Sequence, residues 1–290
     1  MKRRILQNLI VAACCLTAFT ANAQTNNGKI QLTKGQKLQV DNTLNSVATM
    51  EMMGQSMEIN SNASMLHNLE VKEKKDTSYT VASTLTKMTT TGSMMGQSFS
   101  FDSDKKQDRD SSELGKALKN ELNVAKDVEL NTEGKLLTKN TTPAPAPASN
   151  NPMMGMVNTM TGAGNDFNNA VAEMFQVIPL NAKQGDSWSD SLIGDGIKTY
   201  RTYTIKEINS NIAAVTLSGN QTTNKTLQQM GSEVILSLEA KLSGESKVDI
   251  KSGMVQQKNF VVEGSGTADA MGQSIPLTMK VTSVTSVKSL

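Results

Sequence analysis

The stretch Ile275-Pro276-Leu277-Thr278-Met279-Lys280-Val281-Thr282-Ser283-Val284-Thr285-Ser286-Val287 decides the reading of this chain. Ile275, Leu277, Met279, Val281, Ser283, Thr285 and Val287 fall on one side of a period-2 pattern. Thr278, Lys280, Thr282, Ser286 and Lys288 fall on the other. Alternation sustained over so many positions marks a β-strand with one covered and one wet face. At roughly 3.3 Å per residue such a strand reaches about 43 Å, well beyond the about five or six residues typical of globular proteins.

Upstream the alternation recurs. From Leu38 the even positions read Val40, Asn42, Leu44, Ser46, Ala48, Met50 and Met52. After Gly54-Gln55 the odd positions take over as Met57, Ile59, Ser61, Ala63, Met65, His67, Leu69 and Val71, and Tyr79, Val81, Ser83 and Leu85 continue the pattern. The phase changes at Met53-Gly54-Gln55-Ser56, a tetrapeptide repeated at Met95-Gly96-Gln97-Ser98 and Met271-Gly272-Gln273-Ser274. Glycine there supplies the positive φ of a tight hairpin. Further hairpins are expected at Asn209-Ser210-Asn211, Ser243-Gly244, Gly253 and Asn131-Thr132-Glu133-Gly134. Long strands joined by short turns predict a mainly β fold, a long-stranded, curved antiparallel sheet of half-barrel form with one or two covering helices.

Two segments carry helical spacing instead. In residues 111–122 these are Leu114, Ala117, Leu118 and Leu122, with Ser111 or Ser112 as N-cap. In residues 166–178, Phe167, Ala170, Val171, Met174, Phe175 and Ile178 make an apolar stripe that Pro179 stops. Between them runs the stiff Pro143-Ala144-Pro145-Ala146-Pro147. We read residues 24–290 as a single β-rich domain with a Pro/Ala/Met-rich insertion at about residues 141–165. Lys34-Gly35 and Lys183-Gln184-Gly185-Asp186 each open a half, and Gly134 and Gly253 each sit in a later hairpin, which fits one continuous sheet built from two related halves.

The first 23 residues read as a signal peptide. Lys2, Arg3 and Arg4 precede a short apolar run, and Ala21-Asn22-Ala23 offers small residues for cleavage before Gln24. Periplasmic or secreted export follows. The alternative is a membrane-tethered lipoprotein, because Val11-Ala12-Ala13-Cys14 matches a site of cleavage before a lipidated cysteine. Both cysteines lie in this leader, so no disulfide framework is expected beyond it. Loss of its three basic residues also leaves the 27 acidic residues in slight excess, and no basic–aromatic pattern suggests nucleic acid.

Chemistry is read mostly by exclusion. One histidine, His67, remains for any triad or metal centre, and its phase places it in a sheet face. Glu51, Glu58, Asp186 and Asp190 stand at polar-facing or turn positions, where a solvated charge is the default. No enzyme, metal or cofactor is expected. Methionine is the unusual commodity, 18 residues against six Phe, three Tyr and one Trp. Thioethers fill cores, adapt to irregular apolar ligands, or ligate Cu(I), in that order of preference.

The segment Pro179-Leu180-Asn181-Ala182-Lys183-Gln184-Gly185-Asp186-Ser187-Trp188, the opening Lys34-Gly35-Gln36-Lys37-Leu38, the Met-Gly-Gln hairpin and the final alternating strands together resemble an uncharacterised family of exported bacterial β-rich proteins. The layout is similar to the lipoprotein-carrier architecture, a curved sheet with helices on its concave side. The resemblance implies that fold and brings no catalytic residue with it.

The reading is therefore a non-catalytic exported binding protein carrying a lipid or other apolar ligand between sheet and helix. Met50, Met52, Met57, Ile59, Met65, Phe167, Val171, Met174 and Phe175 are the lining candidates. The alternative is a structural or protein-interaction module of the cell envelope with a filled core, whose partner is an envelope protein.

Overall fold

A computed structural model of the chain describes residues 28–137 and 171–290, apart from residues 53, 95, 172, 195, 230, 231 and 271. The expected leader and the insertion at 141–165 lie outside these residues, as does Phe167. Eleven strands follow in order: β1 (Lys37–Met52), β2 (Gln55–Lys74), β3 (Ser78–Met94), β4 (Gln97–Asp102), β5 (Ala125–Asn131), β6 (Ser187–Gly194), β7 (Ile197–Asn209), β8 (Ile212–Gln229), β9 (Ser232–Asp249), β10 (Val255–Ala270) and β11 (Gln273–Ser289). They form one open antiparallel sheet in the order β4-β3-β2-β1-β11-β10-β9-β8-β7-β6, with β5 also on β3. The mainly β architecture expected from the alternation is what the chain adopts.

Register puts the apolar phase on one face. Leu38 opposes Leu69, Val40 opposes His67, Ala48 opposes Ile59 and Met50 opposes Met57 across β1 and β2. On the other side of β1, Val40 opposes Val287 and Ala48 opposes Met279. A slip of one residue would turn all of these to water, so the pattern itself sets the pairing.

Five of the six two-residue hairpin links lie at one end of the sheet, the tip end; the sixth, Ser210-Asn211 between β7 and β8, lies at the other, as the sequence predicted. The five are flanked by the pairs Met52–Gln55, Met94–Gln97, Gly194–Ile197, Gln229–Ser232 and Ala270–Gln273. Gly54, Gly96, Gly196 and Gly272 in these links have φ of 76°, 77°, 76° and 79°, the left-handed backbone of primed hairpin turns. Ser243-Gly244 is not a hairpin, contrary to the sequence reading. Gly244 lies inside β9, opposite Leu217 and Phe260, and a Cβ there would stand 2.6 Å from the Asn259 carbonyl. It marks a close approach of neighbouring backbone on the covered face rather than a turn. Gly266 is tighter still, 1.9 Å from the Ser237 carbonyl by the same measure.

The opposite end, the base, shows that the two halves are built alike. Before β1, Gly35 N–H donates to Val71 O and Val71 N–H to Gln36 O; before β6, Gly185 N–H donates to Ile205 O and Ile205 N–H to Asp186 O. Gln36 Oε1 accepts from Thr33 N–H at 3.1 Å, and Asp186 Oδ2 accepts from Lys183 N–H at 2.8 Å. The pairing then skips Lys72 between Val71 and Glu73, and Lys206 between Ile205 and Glu207. The same bulge thus follows the same corner in Val-Lys-Glu and Ile-Lys-Glu. The later turns match as well, with Asn131 and Asp249 side chains accepting backbone N–H bonds and Gly134 and Gly253 at φ 78° and 68°.

The halves differ at their fourth strand. β9 is continuous, whereas β4 and β5 lie end to end along β3 with a helical insertion between them. That insertion holds α1 (Lys106–Ser111) and α2 (Glu113–Leu118). The helix expected over residues 111–122 is α2, capped at Ser112, one of the two expected caps, but ending at Leu118, and α1 precedes it. Ser112 is extended at φ −76°, ψ 153°, ends α1, and its side chain caps α2 by accepting from Gly115 N–H at 2.9 Å. Leu118 then packs on Leu85, Met88 and Phe101, with Leu114 and Leu122 beside it. Among the described residues, no helix is long and apolar enough to cross a membrane.

Candidate functional site

Two chain segments cross the covered face at the base. Ile30 N–H donates to Thr132 O and Gln31 N–H to Ser252 O, while Gln176 N–H donates to Gly253 O and Val255 N–H to Met174 O. These bonds lay residues 28–36 and 173–178 across the two turns that the halves share. Ile30, Leu32, Val171, Met174 and Phe175 are thereby buried with Leu38, Leu69, Val71, Tyr79 and Leu130. The helix expected over residues 166–178 does not continue through its described end. Met174 is in a turn and Phe175 makes an antiparallel bridge to Met254, because the base turn offers its backbone groups in place of a further helical turn.

Beyond this strap lies a polar and aromatic group on the covered face of β6, β7 and β10. Trp188 opposes Tyr203 and Asp190 opposes Arg201 across β6 and β7. The Trp188 and Tyr203 rings stack with centroids 5.3 Å apart and 17° between planes. Arg201 grips Asp190 with two donors, Nε to Oδ1 at 2.8 Å and Nη2 to Oδ2 at 3.0 Å, the fork geometry that makes such pairs specific. Tyr203 O–H donates to Asp190 Oδ2 at 3.3 Å. Burial pushes the Tyr203 phenol well above its ordinary range, so it stays a donor.

The strap closes the group. Glu173 Oε1 lies 3.8 Å from Arg201 Nη1, and Glu173 Oε2 pairs with Lys258 Nζ from β10. Lys258 also stands 5.5 Å over the Phe260 ring. In a flat sheet β7 and β10 would be three spacings apart, about 14 Å, so the two cationic side chains reach toward each other and the carboxylate fills the gap. The Lys258 ammonium, first among its influences, holds the Glu173 carboxyl below the usual carboxylate range. One bond further along, Ser246 O–H donates to Gln176 Oε1 at 2.8 Å.

Residues 76–255, more than half of the chain, match the family described as a family of unknown function, DUF6263. The chain belongs to that family. The matched span of this DUF6263 chain contains Glu173, Asp190, Arg201 and Tyr203. No curated protein matches it. Among solved structures it is similar to lipovitellin, at 11% identity and a TM-score of 0.51, over 89% of this chain and 25% of that one. The DUF6263 chain thus spans about a quarter of the lipovitellin chain, and the likeness is one of fold. It is also similar to the COG4313 outer membrane channel from Pseudomonas putida F1, at 9% identity and a TM-score of 0.24, over 90% of this chain and 98% of that one. The translocator domain of the autotransporter NalP from Neisseria meningitidis gives 8% and 0.21, over 96% and 97%. Those two likenesses are too slight to argue from.

The lining candidates read from the DUF6263 sequence fall in separate places. Val171, Met174 and Phe175 belong to the base. Met65 packs beside the α2 group, and Met50 packs against the interior of β7 to β11. Ile59 is buried opposite Ala48, Met57 opposes Met50, and Met52 ends β1 opposite Gln55. Met50 stands twelve positions along β1 from Leu38, or about 40 Å, so the base residues and Met50 do not share one pocket. Asp190, read as a solvated charge, does keep 42% of its side chain exposed, and it is also the partner of Arg201 and Tyr203. Its in-phase position with Trp188 was the available signal, since both fall on the covered side of β6. His67 sits as its phase implied, buried in the sheet between Val40 and Leu85. Among the described residues no group of three His, Cys, Asp or Glu is placed to hold a metal ion.

Proposed function

We propose that this protein is a non-catalytic, exported binding protein that holds a lipid or other apolar ligand against the covered face of its sheet. One observation carries the reading: the sheet is open, its apolar phase runs along one face from base to tip end, and the crossing segments cover the base. A broad face of Val, Leu and Met side chains suits an irregular apolar molecule. Lipovitellin, whose solved structure concerns lipid–protein interactions, supports the reading through its similar fold. Export rests on the leader read in residues 1–23.

A second reading has its own observation. Leu236, Leu277 and Val281 on that face are only 1–4% exposed, which favours a filled core and a structural or protein-interaction role in the cell envelope.

Purification of the protein from its exporting host without detergent, followed by solvent extraction and mass spectrometry, separates the two. A stoichiometric lipid is expected. An empty protein that also fails to take up a fluorescent fatty acid would overturn the carrier reading in favour of the filled core.

A further inference from the structure

Lys258 and Arg201 are the most deeply covered cations among the described ion pairs, with side chains 18% and 24% exposed. Both are fixed to the sheet. Asp190 already occupies Nε and Nη2 of Arg201, which leaves Nη1 turned toward the gap between β7 and β10. The acid they share is of another kind. Glu173 is 53% exposed and comes from the crossing strap rather than from a strand. Two covered cations therefore meet one half-exposed carboxylate on a separate segment. Phe260 lies directly under Lys258, with Val262 and Leu242 in the next row of the same face.

Resting on the carrier reading above, we infer that Lys258 and Arg201 form the subsite for the anionic head of a single-chain amphiphile, a carboxylate or a phosphate monoester. Glu173 holds that subsite as an internal, displaceable carboxylate. The chemistry of the exchange is balanced, since one anion replaces another and neither cation is left buried without a counter-charge. The tether gives Glu173 a high effective concentration, so a small anion alone competes poorly. An amphiphile competes because its chain gains contact with the partly buried Phe260 and Trp188 while its head takes the place of Glu173. No bond is made or broken.

The test uses the full mature protein with 11-(dansylamino)undecanoic acid and its methyl ester as fluorescent probes. Glu173→Gln should tighten binding of the acid by roughly tenfold by removing the internal competitor, with the ester unchanged. Lys258→Gln should weaken the acid and spare the ester. Wild-type protein gives an independent reading that no folding defect disturbs: high salt should weaken the acid but not the ester. Displacement of the bound acid by oleate, compared with lysophosphatidic acid, distinguishes a carboxylate head from a phosphate head. Ester and acid binding alike, with no change in Glu173→Gln and no differential salt effect, would overturn the subsite and leave the carrier reading standing. Failure of both probes with wild type and with Glu173→Gln would overturn both.

Discussion

In the first half of the sheet Leu38 faces Leu69 and Val40 faces His67; at the equivalent places in the second half Trp188 faces Tyr203 and Asp190 faces Arg201. The corners leading into these strands carry the same hydrogen bonds, and the same bulge follows each, so the difference lies in side chains on a shared frame. Position in the sheet explains it. β1 is flanked by β2 and β11, and its quartet is buried under the crossing segments, with each member 3% exposed or less. β6 ends the sheet, where water reaches one side of Asp190. A bidentate ion pair is tolerable at such a rim and costly in the interior. The repeat thus supplies a scaffold twice, and only its outer copy carries charge chemistry.

The severest way to break this comparison is to put the outer residue into the inner site. His67→Arg would place a guanidinium between Val40 and Leu85 with no acid across either strand. A loss of about 3–5 kcal/mol is expected, measured by urea unfolding, and the double variant Val40→Asp/His67→Arg should recover part of it. Wild-type stability in the single variant would mean that the inner site is open to water.

Next in size is the effect of pH on the inner site. Burial lowers the His67 pKa from 6.5 to about 4. Above pH 6.5 the imidazole is neutral in both folded and unfolded chains, and it adds no pH dependence. As pH falls from 6.5 toward 4 the unfolded chain takes up a proton that the fold refuses. Stability should therefore drop across that window by about 3 kcal/mol, then level off with respect to this group. His67→Gln should flatten that slope in unfolding curves recorded through the window. An unchanged slope would assign it to other groups.

The smallest effect belongs to the outer site. Asp190→Asn keeps the shape and removes the charge from a pair whose acid is 42% exposed. The cost in thermal or urea unfolding should be about 1 kcal/mol or less. A loss as large as that of His67→Arg would show that the rim of the sheet is sealed, contrary to the comparison.

Much of the fold was legible because strand alternation is a local signal. The even phase of residues 38–52 and the odd phase of 57–71 specify which side chains share a face, and Gly54 between them specifies the reversal. Glycine misled where its use was not conformational. Gly244 reads as a turn in sequence, yet it serves the close approach of Asn259 within a continuous strand. The reversal between β6 and β7 was not legible because β6 is short and its alternation weak.

The candidate site was legible only in fragments. Trp188 and Asp190 stand out as in-phase neighbours, but Lys258 is 85 positions from Glu173, and no periodicity connects them. Met174 and Phe175 have the spacing of a helix stripe. Their burial is real, but the base turn at Gly253 competes successfully for the backbone of that segment.

By itself, then, the sequence determined what alternation and turn chemistry can determine: a mainly β chain, its covered face, and most of its hairpins. Those properties depend on residues one or two positions apart, where backbone geometry enforces the outcome. Only the tertiary structure decided that β1 pairs with β11, that the two corners share their hydrogen bonds and bulge, and that one strap carboxylate joins cations from β7 and β10. Such contacts depend on how distant strands are ordered in the sheet, which local periodicity leaves open.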